Sequence, residues 1–133
     1  MIALDTNVIV RIVTNDDPGQ AEVAVAAIDG QRLWLAKTVL LETEWVLRYS
    51  YALDDSVIQR ILLRLLGLEN LEVEDRAGVL MALTLYREGM DFADALHLAS
   101  CTEASTFLTF DRDLALRAAG LETAPSVELL ESG

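Results

Sequence analysis

Four carboxylates fall where short apolar segments end or turn into something else. Asp5 ends the opening run Met1-Ile2-Ala3-Leu4, and Glu42 lies inside the apolar stretch Val39-Leu40-Leu41-Glu42-Thr43-Glu44-Trp45-Val46-Leu47. Asp94 opens Asp94-Ala95-Leu96-His97-Leu98-Ala99, and Asp111 closes Thr106-Phe107-Leu108-Thr109-Phe110. Acids that converge from distant parts of a chain repel one another and cost free energy unless a cation holds them. Metal-assisted chemistry is therefore the first function to consider.

Each acid also has an ordinary structural reading. Asp5 and Asp111 precede helical segments and suit an N-cap, and Asp94 in a first turn is favoured by the helix dipole. Glu42 is harder to explain this way. Its helical neighbours Thr38, Val39, Trp45 and Val46 offer no cation, and a carboxylate on an apolar face must be paired or ligating. Glu44 instead has Arg48 four residues on and reads as a surface ion pair. Asp91 shares a face with Asp94 and reads as a supporting acid or a cap; Asp113, two residues after Asp111, reads as a further ligand or a solvent-facing residue. His97 is expected to be satisfied and partly buried, and Cys101 to lie in the core. Packing is sufficient to explain Trp34 and Trp45.

The elements that would position these acids alternate. Met1 to Leu4 reads as a buried strand, Asn7 to Val13 as a helix, and Asn15-Asp16-Asp17-Pro18-Gly19 as a turn and helix start. Ala21, Ala24, Val25 and Ile28 give a helical face ending at Gly30. Leu33 to Ala36 reads as a strand, and Thr38 as the cap of a helix reaching Ala52. A further helix follows Asp54 or Asp55 and stops near Gly67. Leu71 to Val73 is a strand, and Asp75 caps a helix running to Gly89. Phe92, Ala95, Leu96 and Ala99 mark another helix. Thr106 to Phe110 is a fourth strand, Asp111 to Ala119 a last helix, and Glu122 to Ala124 a final short strand. This alternation predicts an α/β fold: one domain over 1–133, three layers α/β/α, around a central parallel sheet of four to five short strands. Sites in such sheets form beyond the carboxyl ends of the strands, where strand order reverses. Asp5 and Asp111 both fall at strand ends.

Composition narrows the class. At 133 residues and 53% hydrophobic, the chain can bury a core without disulfides or a structural metal. No apolar stretch approaches the ~20 residues a membrane span needs, and no basic leader precedes the first strand, so no membrane partner is expected. One cysteine excludes an internal disulfide and fits a reducing cytoplasm. A Cys/His zinc site is excluded as well, because Cys101 and His97 are single. The net charge of −12, from 22 acids against 10 bases, argues against nonspecific nucleic-acid binding. Yet nine of those ten bases are Arg, suited to phosphate contact, so charge alone does not decide the partner.

Taken together, four stretches resemble the PIN-domain nucleases, in particular the VapC-type toxins of toxin–antitoxin pairs. Ile2-Ala3-Leu4-Asp5-Thr6-Asn7-Val8 is similar to the first-strand motif. Leu41-Glu42-Thr43-Glu44-Trp45-Val46-Leu47 is similar to the Glu-bearing helix. Asp91-Phe92-Ala93-Asp94-Ala95-Leu96-His97 resembles the third motif, and Leu108-Thr109-Phe110-Asp111-Arg112-Asp113-Leu114 the last. The last is the loosest, reading Phe110-Asp111 where the family often has Asn-Asp. The resemblance implies a metal-dependent endoribonuclease using Mg²⁺ (or Mn²⁺) held by Asp5, Glu42, Asp94 and Asp111. Asp5 and Asp94 would be direct ligands, with Thr6 and Thr109 ordering the acids by hydrogen bonds. It further implies an RNA substrate such as tRNA, a homodimer, and silencing by a cognate antitoxin whose basic segment covers the acidic cleft.

Other readings remain open. A haloacid-dehalogenase-like phosphatase, another metal-dependent phosphoester hydrolase, needs a second Asp two residues after the first, where this chain has Asn7. A phosphate-accepting receiver domain needs a late lysine, but Lys37 is the only one and comes early. A catalytically weak PIN-like interaction module is disfavoured by the presence of all four acids.

Overall fold

A computed structural model of the chain describes every residue except Ala124 and Gly133. Among the described residues Met1–Arg76 form one compact unit and those from Ala77 onward a second. Both are α/β with parallel strands.

In the first unit the order is β1 (Ile2–Ala3), α1 (Thr6–Thr14), α2 (Pro18–Ile28), β2 (Leu33–Leu35), α3 (Lys37–Tyr49), α4 (Asp55–Leu66) and β3 (Leu71–Val73). The strands pair in parallel as β1-β2-β3, with Ile2 opposite Leu33 and Leu33 opposite Leu71. The backbone ladder runs beyond the paired residues, from Leu4 N–H to the Trp34 carbonyl (3.2 Å) and from Glu74 N–H to the Leu35 carbonyl (2.9 Å). The first ladder delivers Asp5 directly past the end of β1. Helix α1 packs against α2 and α3, and α3 against α4. Leu33, Leu35, Leu40, Leu47, Ile58 and Leu62 are fully buried, each contributing about 1.5–3 kcal/mol of apolar burial.

Between α1 and α2 the chain turns sharply. Asn15 takes the left-handed conformation (φ 52°) and its N–H closes α1 on the Arg11 carbonyl at 3.0 Å. Asn tolerates this conformation better than most residues. Asp17 then caps α2 by accepting from Gln20 N–H at 3.1 Å, with Pro18 in the first turn.

The second unit holds most of α5 (Arg76–Arg87), then α6 (Phe92–Ala99), β4 (Thr106–Thr109), α7 (Arg112–Ala119) and β5 (Ser126–Leu129). Strands β4 and β5 pair in parallel, Thr106 opposite Ser126 and Thr109 opposite Leu129, and α7 packs on both. Phe92 and Met90 are buried, and the Tyr86 and Phe92 rings meet at 5.1 Å.

The predicted class and parallel pairing hold, with differences of detail. The five strands among the described residues pair as three and two, and neither ladder contains a reversal of order. Helix α3 starts at Lys37 with Ala36 at its cap position, so Thr38 is not the cap, and α3 stops at Tyr49 short of Ala52. Asp54 holds the cap position of α4 but makes no capping side-chain bond. The last strand lies at Ser126–Leu129 and not at Glu122 to Ala124, of which Ala124 is outside the described residues. A run of alternating exposure beginning at Ser126 pairs with β4; Glu122 and Thr123 precede it without pairing. Among the described residues no helix is long and apolar enough to cross a membrane.

Candidate active site

In the first unit, the end of β1 and the middle of α3 bring two of the four acids together. Asp5 is exposed and caps α1, its Oδ1 accepting from Thr6 N–H at 2.7 Å. Thr6 is buried, and its hydroxyl donates to Glu42 Oε1 at 2.5 Å across 36 residues of sequence. Asp5, Thr6 and Glu42 line one cleft of about 500 Å³ together with Asn7, Arg11, Ser50 and Tyr51. The capping role expected for Asp5 is real, and it leaves Oδ2 available for something else.

The two glutamates on α3 keep their expected partners, Glu44 pairing with Arg48 and Glu42 joining Asp5, but their burial is the reverse of the expectation. Glu44 is buried at 4% exposure, accepting from Arg48 Nε at 2.8 Å and Nη2 at 2.7 Å. Arg48 continues to the exposed Asp55 at 2.9 Å, so the pair joins a buried acid through a half-buried guanidinium to the surface. Glu42 is exposed, and the apolar neighbours that seemed to enclose it are themselves partly open: Trp45 is 55% exposed and stands against Tyr49, ring centroids 5.1 Å apart. Trp45 is therefore not a packing residue, while Trp34 is half-buried in β2. Rotation along a helix fixes which residues share a face, but not which face meets the core.

Arg11 lines the same cleft as Asp5 and Glu42, a placement no local sequence motif marks. Arg11 Nε donates to Gln20 Oε1 at 2.7 Å, and Nη1 reaches Asp16 Oδ1 at 3.3 Å and Tyr51 Oη at 3.2 Å. Tyr51 in turn donates to Asp16 Oδ2 at 2.5 Å. The Tyr51 hydrogen bond, more than the Thr14 hydroxyl or the Arg11 charge, holds the Asp16 carboxyl below its usual range against the opposing effect of burial. The only sequence signal was the acidic turn that follows α1, which read simply as a turn.

In the second unit the other two acids form a second group. Asp91 caps α6, accepting from Asp94 N–H at 3.2 Å, so its role is the cap. Burial pushes the Asp94 carboxyl above its usual range, the negative charges of Asp91 and Asp111 push it further, and His97 opposes them. Asp111 caps α7 through Oδ1, which accepts from Asp113 N–H at 2.9 Å and Leu114 N–H at 3.2 Å. Its own N–H donates to the Thr109 hydroxyl at 3.0 Å. Asp91, Asp94 and Asp113 line a cleft of about 740 Å³ that also receives Arg117. Asp111 thus acts on Asp94 through its charge, while Asp113 shares a cleft with it. His97 is exposed and Cys101 only half-buried, both less enclosed than expected.

Among the described residues no group of three or more His, Cys, Asp or Glu side chains is gathered for one ion. The donors are nonetheless of the right kind for a hard cation: all are carboxylates, two in each unit, with Asp94 raised first by burial and then by like charge that a cation would relieve.

A family model for the PIN domain matches residues 2–120, running through both units. The chain belongs to the PIN domain family. No curated protein and no solved structure matches it. PIN domains are generally nucleases that act on nucleic acid and typically use divalent metal ions, so this PIN domain is assigned nuclease-type hydrolase chemistry. In it, Thr6 and Thr109 each hydrogen-bond a candidate acid or its backbone, as the sequence suggested.

Proposed function

We propose that this PIN domain, acting as a single domain over 1–133, is a Mg²⁺-dependent endoribonuclease of the VapC toxin type, with Mn²⁺ as an alternative ion. The ligands in this reading are Asp5, Glu42, Asp94 and Asp111. The observation that carries it is the Thr6–Glu42 hydrogen bond, which sets Glu42 beside Asp5 in one cleft of a PIN-domain chain.

Hydrolysis adds water across a P–O bond: the attacking water loses a proton and the leaving oxygen gains one. The cation, when bound, neutralises the scissile phosphate and makes water nucleophilic at neutral pH. Thr6 holds Glu42 by Oε1, leaving Oε2 to accept the proton. Asp5 spends Oδ1 on the first turn of α1 and Asp111 spends Oδ1 on the first turn of α7, which orients each carboxylate and leaves its Oδ2 for a ligand. Asp94 carries a carboxyl that a neighbouring cation would stabilise in its charged form. The remaining parts of the reading follow from the VapC resemblance: a structured RNA such as tRNA as substrate, a homodimer, and a cognate antitoxin whose basic segment fits the acidic cleft; a cytoplasmic setting rests on the single cysteine.

The test is cleavage of RNA with Mg²⁺ and with EDTA, using wild type, Asp5→Asn and Asp94→Asn. Wild type is expected to cut only with the metal, and both variants to lose cutting while keeping the wild-type circular dichroism spectrum. Undiminished cleavage by either folded variant would overturn the assignment.

A further inference from the structure

Helix α3 presents more than an acid to solvent. Thr38, Glu42, Trp45 and Tyr49 recur at helical spacing along one face, and all four are exposed. Trp45 and Tyr49, at 55% and 66% exposure, form a tilted aromatic pair. Val46 and Ser50, on the other side of Glu42, belong to the cleft that also holds Asp5 and Arg11. Glu42 therefore lies between an aromatic surface and a polar cleft.

The cleft carries a cation in a prepared orientation. Arg11 is braced through Nε and Nη1 by Gln20, Asp16 and Tyr51, and its Nη2 has no hydrogen bond among the described residues. A guanidinium fixed on two nitrogens with its third free suits a phosphate oxygen. Flat aromatic rings on the same helix face as Glu42, which shares the cleft of this cation, supply the other part of a single-strand site, where bases stack and the backbone is tracked by charge.

We propose that the outward face of α3 is a track for unpaired RNA: bases stack on Trp45 and Tyr49 while Arg11 Nη2 holds a backbone phosphate in the adjoining cleft. This rests on the nuclease reading of the same cleft and names the form of its substrate, a single-stranded segment. A second copy of the chain is the less suitable occupant. A two-fold contact centred on Trp45 and Tyr49 would bring Glu42 towards its own copy, setting like charges together.

The experiment follows Trp45 emission directly. In a Trp34→Phe background Trp45 is the only tryptophan. The probes are a single-stranded oligoribonucleotide and a perfect duplex of equal length, with Ca²⁺ in place of Mg²⁺. Single strands are expected to quench Trp45 and duplex to leave it unchanged. Tyr49→Ala should weaken single-strand binding about tenfold, the loss of roughly one stacked base, while Tyr49→Phe keeps the affinity. Arg11→Gln should flatten the log–log salt dependence by about 0.7, one phosphate's share on a single strand.

Wild-type RNA cleavage is measured alongside. Cleavage without quenching overturns the track and leaves the nuclease reading intact; quenching without cleavage supports the track and removes the nuclease reading. Equal quenching by duplex overturns the single-strand assignment. Emission that changes with protein concentration, together with a dimer that Trp45→Ala dissociates in sedimentation, makes this face a self-interface and overturns the track.

Discussion

The inward and outward faces of α3 each carry a glutamate, two residues apart, and they differ in nearly everything but chemistry. Glu44 faces in, is buried, and is held by the Arg48 guanidinium, which also reaches Asp55. Glu42 faces out, has a single hydroxyl from Thr6 as its donor, and opens on a cleft with Asp5. A buried carboxylate with a charge partner is a structural element whose removal leaves the partner's charge in place. An exposed carboxylate held by one oxygen keeps the other for work. The contrast teaches that a cation at helical spacing identifies an acid that is already occupied, and its absence identifies one that is not, whichever of them is buried.

Substitutions that strip each face separately would sharpen or break this contrast. The largest expected effect is on the inward face. Glu44→Ala should lower the unfolding free energy by about 2 kcal/mol, because the buried partner of a half-buried guanidinium is removed, tempered by solvent and by the contact Arg48 keeps with Asp55. Urea denaturation reads this directly, and a loss no greater than that of Glu42→Ala would abolish the distinction. Metal-dependent cleavage by Glu44→Ala, measured below its melting range, should persist.

A smaller effect belongs to the link between β1 and α3. Thr6→Val should cost about 1 kcal/mol, the usual net value of one hydrogen bond, yet reduce cleavage well beyond what that loss of stability explains. Wild-type kcat in the folded variant would show that Glu42 needs no positioning by Thr6.

The smallest effect is a stabilisation, and it extends the comparison to the second unit, where Asp94 is strained by burial and then by like charge rather than held. Its folded-state pKa is raised, so the folded chain binds this proton more readily than the unfolded chain. Stability must then fall as pH rises from the ordinary carboxylate value of 3.8 through the raised value, and the charged form is a cost at neutral pH. Asp94→Asn in EDTA should therefore melt at or slightly above wild type at pH 7, by less than about 1 kcal/mol because solvent screens a half-exposed group. The gap should close as pH approaches 3.8. A variant that melts clearly below wild type at pH 7 would mean that Asp94 serves the helix start more than it strains it.

Much of the fold was legible locally. Leu71 to Val73 and the starts of α2 and α7 follow from short apolar runs punctuated by Asp, Pro and Gly, whose backbone preferences act within a few residues. The Asp5, Asp91 and Asp111 caps were readable for the same reason. Less legible were exposure and pairing. Nothing within ten residues of Trp45 says that its side of α3 meets solvent, and the partners of Arg11 include Tyr51, 40 residues away.

The sequence by itself determined the alternation of elements, the order of the four acids along it and, through that order, membership of the PIN domain family. These depend on spacing, and spacing is local. Only the tertiary structure decided which glutamate of α3 is buried, that Thr6 reaches Glu42, and that an aromatic pair stands open beside it. Those outcomes depend on which side of a helix the rest of the core claims, a choice made by packing between segments that the helix's own periodicity leaves undetermined.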